Sequence, residues 1–273
     1  MKTFKTIKKE LLYKIKAEEW RKVIYDVYLQ TESKEDILNF IKTYSVWIFT
    51  HKVLNSEYLN KNFSEEELLN ANIYTKGDYF LKDVNICVCG TARIKVTGSS
   101  KVIALEKSEI IACDNSEVKA FDSTRLDSYN FSFITAFNYS RVYANDYSQV
   151  FAFDEVKVSA NEHSEVGAYN LSKVNSYGNA AVYAYDYSRV KACDESILCA
   201  YSRSICEVYN LSKVKAFEFS KVESHDQSRI QVYENAIIKP YNNCCVENHT
   251  DKKIKPHDCA IIEDCNSREL PTS

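Results

Sequence analysis

From Val84 to Asn243 small or branched residues alternate with variable ones on a fixed eight-residue period, without insertion or deletion. The unit reads Ser-x-Val-x-Ala-aromatic-Asp-x, as in Ser148 to Glu155 (SQVFAFDE) and Ser188 to Glu195 (SRVKACDE). Alternation at the first five positions predicts a short strand with Ser, Val and Ala pointing inward and the second and fourth residues outward. Asp, Asn or Glu at the seventh position is predicted to turn the corner, because these residues tolerate tight and left-handed backbone. Twenty such units in succession mark a solenoid, in which each unit is buried against its neighbours.

Sorting the octads by parity gives the size of one coil. In the odd octads the sixth position carries eight aromatics in succession: Phe121, Phe137, Phe153, Tyr169, Tyr185, Tyr201, Phe217 and Tyr233. In the even octads that position is mixed, whereas the second position is basic in seven of ten, including the run Arg125, Arg141, Lys157, Lys173 and Arg189. Sorting by threes shows no comparable order. The expectation is therefore a mainly β chain, a two-sided parallel β-solenoid (β-helix) of about ten sixteen-residue coils, stacked ~4.8 Å apart over roughly 48 Å. The crossover preference predicts a right-handed coil. Small inward residues imply a thin core, and with each buried Val contributing ~1.5 to 3 kcal/mol the array is stable only collectively.

Before the repeat, apolar residues recur at helical spacing: Leu11, Leu12 and Ile15, then Trp20, Val23, Ile24 and Val27, with a break near Ala17. Ser33 with Asp36 resembles a helix cap, and Ile37, Phe40, Ile41, Tyr44, Trp47, Ile48 and His51 predict a second helix of about five turns. Ser64 with Glu67 repeats the pattern ahead of a short third helix, and Thr75 to Asp78 reads as a turn into the first coil at about Leu81. Three segments follow: an α-helical N-terminal cap or module at 1–80, the solenoid at 81–243, and a C-terminal cap with a flexible tail at 244–273. A stacked sheet needs its ends covered, which is the role expected of the helices.

Composition adds little chemistry. A net charge of -3 gives no global case for an acidic partner or nucleic acid. The N-terminal stretch is charged throughout and nothing approaches the roughly 20 apolar residues of a membrane span, so no membrane association and a cytoplasmic location are expected. There the ten Cys would be thiols. Only five Gly and three Pro are present, so corners must be turned by other residues.

The two rows are the candidate binding features. Stacked rings stabilise a solenoid by pairing along the ladder, and an exposed row would also dock a protein, a sugar or an aromatic ligand. Like charges ~5 Å apart repel, so the basic row is expected to be neutralised by the acidic corner residues on each coil, the alternative being a polyanion. The corner row Asp122, Asn138, Asp154, Asn170, Asp186, Ser202 alternates charged and neutral residues and reads as charge spacing. His163 and His225 read as surface variation, and the six Cys within the repeat as packing.

After Asn243, Cys244, Cys245, His249, His257, Cys259 and Cys265 crowd together, but their spacing matches no paired zinc arrangement; a cap under Ala260, Ile261 and Ile262 is expected, then a disordered tail. No phosphate loop, zinc-protease helix, dinucleotide fingerprint or nucleophile elbow occurs, and gapless octads leave no active-site loops. No cofactor and no catalysis are expected.

The unit at Ser164 to Leu171 (SEVGAYNL) and Ala180 to Tyr187 (AAVYAYDY) resembles the octapeptide-repeat parallel β-solenoid proteins of bacterial, mobile-element and phage genomes. The likeness covers 84–243 and implies the fold and a genomic setting, with no catalytic residues to carry over. The leading expectation is a non-catalytic binding or scaffold protein acting on a protein partner or on a second copy of itself. One alternative is a phage or mobile-element antagonist of a host nucleic-acid enzyme or defence system, an anti-CRISPR-like inhibitor using Arg125 to Arg189 toward nucleic acid or nucleoprotein. Another is a sugar-binding or fibre module resting on the aromatic ladder.

Overall fold

The computed structural model describes residues 2–17 and 22–265. Trp20, expected on the first helical face, and the tail expected to be disordered after Cys265 lie outside the described residues. The chain is a mainly β parallel solenoid of about twelve turns, with helices at its N-terminal end. It divides into two compact units, Met1–Arg125 and Leu126–Ser273.

Among the described residues of the first unit six helices precede the start of the coil: α1 (Phe4–Ala17), α2 (Lys22–Leu29), α3 (Lys34–Thr43), α4 (Ser45–Thr50), α5 (Ser56–Asn62) and α6 (Glu65–Asn70). Both expected caps form, with Ser33 and Asp36 closing a capping box on α3 and Ser64 and Glu67 another on α6. The expected five-turn helix is instead interrupted at Tyr44, whose ψ of 21 departs from helical geometry. Thr43, Tyr44, Ser45 and Val46 are all weak helix formers, so nothing local opposes the break. Helix α5 was not anticipated; its cap is Asn55, which accepts the Tyr58 N–H at 2.9 Å.

The expected boundary near residue 80 is not where the compact units divide. The helices and first coils share hydrogen bonds: Glu106 accepts the amides of Ser56 (3.2 Å) and Gly90 (2.6 Å), and Thr75 Oγ1 donates to Asn60 Oδ1 at 2.6 Å. The coil also starts earlier than expected, with strands Ile73–Tyr74 and Asp78–Lys82. Their register partners, Ile73 with Cys87 and Asp78 with Arg93, mark shortened coils before the sixteen-residue offset sets in at Asn85 with Lys101.

In the second unit four-residue strands alternate between two parallel sheets. One, the ladder sheet, runs through Phe133–Ala136, Gln149–Ala152 and Glu165–Ala168 and ends at Ile261–Asp264; the other, the basic sheet, runs from Arg141–Ala144 to Ile237–Pro240. Val150 pairs with Val166 and Val158 with Val174, which gives the sixteen-residue coil read from parity. Third-position Val and fifth-position Ala are buried, as are the first-position serines. Serine suits that interior site because its hydroxyl can satisfy a corner carbonyl that water does not reach. Ser164 Oγ donates to the Asn161 carbonyl at 2.8 Å and Ser196 Oγ to that of Cys193 at 2.7 Å.

Every seventh-position residue from Gly90 to Asn242 has φ between 54° and 70°, in the left-handed region. What makes this conformation tolerable without glycine is a second bond. At the Asp and Glu corners the side chain accepts the backbone N–H of the corner residue one coil earlier: Asp154 from Asn138 (3.1 Å), Glu162 from Asp146 (3.1 Å), Asp186 from Asn170 (3.1 Å) and Glu234 from Glu218 (2.9 Å). Charge spacing is thus not the organising reason for the corner row, since Glu218 and Glu234 follow each other directly. The carboxylates cap amides that no strand bond uses.

The coil does not stop with the sequence repeat. Cys245–Asn248 pairs with Arg229–Val232, and Ile261–Asp264 pairs in turn with Cys245–Asn248. Asp258 keeps the left-handed corner at φ 52°. Between them, residues 253–257 form no strand, though the His257 N–H bonds the Pro240 carbonyl at 3.1 Å, and Pro256 has no N–H to donate to a ladder. These extra turns at both ends account for about twelve coils where about ten were expected.

Candidate binding faces

The aromatic row is a single stacked column in the second unit. From Phe137 through Phe153, Tyr169, Tyr185, Tyr201, Phe217 and Tyr233 to His249, successive ring centroids lie 4.8 to 5.1 Å apart and planes meet at 3 to 12°. Phe121, the first member of the sequence row, belongs to the first unit and is buried. Each ring within the column is half-buried, with both faces against neighbours and its edge outward. Sugar or ring ligands dock on faces, so the column's interior rungs offer them only edges and phenol hydroxyls. Tyr185 and Tyr201 have their phenol pKa raised, chiefly by burial.

Two further columns were not legible as such. Tyr209, His225, Tyr241 and His257 stack at 4.8 to 5.0 Å, and Phe131, Tyr147 and His163 stack at 5.6 and 5.2 Å. His225 and His163, read as surface variation, are therefore rungs. The third column stands on a corner of the coil, where Phe131 is 65% and Tyr147 55% exposed. On the opposite corner position Tyr187 accepts a hydrogen bond from Arg203 Nη1 at 2.8 Å and lies under its guanidinium.

The ladder sheet also holds a cleft of about 370 Å³, lined by Gln149, Phe151, Glu165, Gly167, Tyr169, Tyr183 and Tyr185. Gly167 makes it. A Cβ there would lie 3.1 Å from Tyr169 Cε2 and 3.2 Å from Phe151 Cδ1, so the missing side chain lets both rings fold over the strand. The signal was present in the sequence, because Gly167 is the glycine that falls inside a strand position of the repeat. A larger cleft of about 590 Å³ in the first unit, between Lys14, Phe49, Leu54 and Glu106, is built around the amide-capping carboxylate of Glu106.

Arg141, Lys157, Lys173 and Arg189 are direct register partners on successive strands of the basic sheet, and all are exposed. The expected neutralisation does not form. Among the described residues none of the four has a carboxylate within 4.0 Å, whereas Arg93 pairs with Glu109 (3.1 Å) and Lys239 with Glu223 (2.6 Å) elsewhere. Asp154 and Asp186, expected to supply the counter-charge, are turned instead to the amides of Asn138 and Asn170. Neighbouring cations ~4.8 Å apart repel by about 1 kcal/mol each even in a water-like dielectric.

The C-terminal Cys and His residues are not brought together. Cys244 is buried in the coil interior, Cys245 lies on a strand, His249 and His257 are rungs of different columns, Cys259 is exposed, and Cys265 Sγ lies 3.7 Å from the Glu263 carbonyl. Among the described residues no three His, Cys, Asp or Glu side chains converge on a metal position. Among the described residues no helix is long and apolar enough to cross a membrane. No protein-family model, curated protein or solved structure matches the chain.

Proposed function

We propose that the chain is a non-catalytic binding module, a rigid stack of coils that presents side chains on fixed spacing to a protein partner. The observation that carries this reading is the corner column Phe131, Tyr147 and His163, whose rings stand in solvent outside the coil. Removing them costs the coil little, because its interior is filled by Val, Ala and Ser; rings of this size exposed together suit an interface. Gapless corners of two residues, tied down by a capping carboxylate wherever the next coil supplies Asp or Glu, favour presentation over catalysis. The ten thiols suit a reducing compartment, and the cytoplasm is the setting we propose. The resemblance of the repeat to solenoids of bacterial, mobile-element and phage genomes fits a device that engages another macromolecule.

The test is quantitative affinity capture with the full chain and with Phe131→Ser/Tyr147→Ser, alongside sedimentation velocity. The expected result is a discrete partner, or a self-associated form, that the wild type holds and the double variant loses at unchanged melting temperature. Equal capture by both proteins would reject the corner column as the contact.

A further inference from the structure

The basic sheet of the second unit carries a second, chemically different surface. On the strands Arg141–Ala144, Lys157–Ala160, Lys173–Ser176 and Arg189–Ala192 the outward pairs are Arg141 and Tyr143, Lys157 and Ser159, Lys173 and Asn175, Arg189 and Lys191. Five cations and no acid occupy these positions. The patch is bounded on one side by Glu207, the register partner of Lys191. Of the corner acids beside the row, Asp154 and Asp186 are committed to backbone amides, which leaves Glu155 there, and Asp127 bounds the patch on the strand before Arg141–Ala144.

We propose that this face binds single-stranded nucleic acid, with phosphates along Arg141, Lys157, Lys173 and Arg189 and bases over the columns beside them. A straight row of unpaired cations recruits a polyanion by counterion release. The neighbouring columns select among polyanions. Tyr177 is 39% exposed, and its place in the column lies between Asn161 and Cys193, so its faces are not taken by aromatic rungs. Asn161 Nδ2 donates to Asn145 Oδ1 at 3.1 Å, which orients an amide pair next to that ring, and Ser159 and Asn175 add further donors and acceptors. Rings and amides flanking a cationic track are the chemistry of unpaired bases, which stack and expose their edges. An acidic peptide or a sulfated glycan would use the charges and leave the ring and amides idle. A duplex, with its bases already paired, would meet a flat face through few phosphates.

The measurement is fluorescence anisotropy of the full chain with a labelled twenty-nucleotide single strand, with the matching duplex, polyglutamate and heparin as competitors. Four phosphate contacts predict a log K against log salt slope of about -3, and Lys173→Ala should reduce its magnitude by about 0.7. Lys157→Glu/Lys173→Glu should weaken binding at least ~30-fold, Tyr177→Ala about 5- to 20-fold, and Lys213→Glu on the ladder sheet less than 2-fold. All these residues are exposed, and an unchanged far-ultraviolet spectrum and melting temperature verify each variant. Absence of binding at low salt overturns the proposal, as does binding that survives the double reversal. Competition by polyglutamate or heparin as strong as by the single strand, with Tyr177→Ala silent, also overturns it, by reducing the face to an unselective anion surface.

Discussion

Replacing Asp154 separates the two jobs that the corner residue performs. At φ 57° its backbone is in the left-handed region, and its carboxylate accepts the Asn138 N–H at 3.1 Å. Asp154→Ala removes the cap, worth ~1 kcal/mol, and leaves a Cβ in a conformation that disfavours it by ~1 kcal/mol, for a total loss of about 2 kcal/mol. Asp154→Gly loses the same cap but relieves the backbone; the greater freedom of glycine in the unfolded chain takes back ~0.5 kcal/mol or more, so the net loss is about 0.5 to 1 kcal/mol. Asp154→Asn keeps an acceptor and a residue at home in this region, and should lose less than ~0.5 kcal/mol. The expected order of stability is Asp, Asn, Gly, Ala. Urea unfolding reads it globally, and amide exchange at Asn138 reads it locally, with up to ~30-fold acceleration in the alanine variant from the same 2 kcal/mol. If Ala and Gly are both indistinguishable from Asp, the corner carboxylates do not hold the coil, and the account of why so few glycines suffice is wrong.

Three further outcomes follow from the interior and the columns. Tyr201→Ala, which leaves Tyr185 and Phe217 without the rung that lies 5.0 Å from each, should destabilise the second unit by about 2 to 3 kcal/mol, whereas Tyr201→Phe should stay within ~0.5 kcal/mol in urea unfolding. Ala160→Val should destabilise by ~1 to 3 kcal/mol in the same assay, since the fifth position is fully buried between two sheets and has no room for added methyls. Burial pushes the Cys206 thiol from an ordinary 9.0 up to about 12, so between those values the unfolded chain has released a proton that the folded chain retains, and stability falls as pH rises. Cys206→Val should therefore lose less stability than the wild type between pH 8 and 10.5, by about 2 kcal/mol, measured from urea midpoints.

How much of this was readable from the sequence depended on what repeats. The inward Val, Ala and Ser, the sixteen-residue coil and the left-handed corners all follow from a period that the chain repeats twenty times, so a single octad's noise is averaged out. Features that break the period were harder. The first and last turns, from Ile73 and up to Asp264, follow the coil through backbone pairing with residues that no longer match the octad, and only the partner strand reveals them. His163 and His225 read as surface variation because each is a lone residue in its row; stacking depends on the residues sixteen away, Tyr147 for the one, Tyr209 and Tyr241 for the other. The fate of the corner acids was missed for a different reason. Sequence proximity to the basic row suggested ion pairs, but an otherwise unpaired amide one coil below competes for the same carboxylate and wins, as at Asp154 and Asp186.

A protein partner seated on the exposed corner rings of the second unit must lie within reach of a crosslinker placed there. Site-specific photo-crosslinking checks this, with a benzophenone side chain placed in turn at Tyr147 and, as a control four coils further along the ladder sheet, at Lys213. One discrete adduct, a partner or a second copy of the chain, is expected from position 147 and none from position 213. Equal adducts from both positions, or none from 147 while 213 reacts, would place the contact elsewhere.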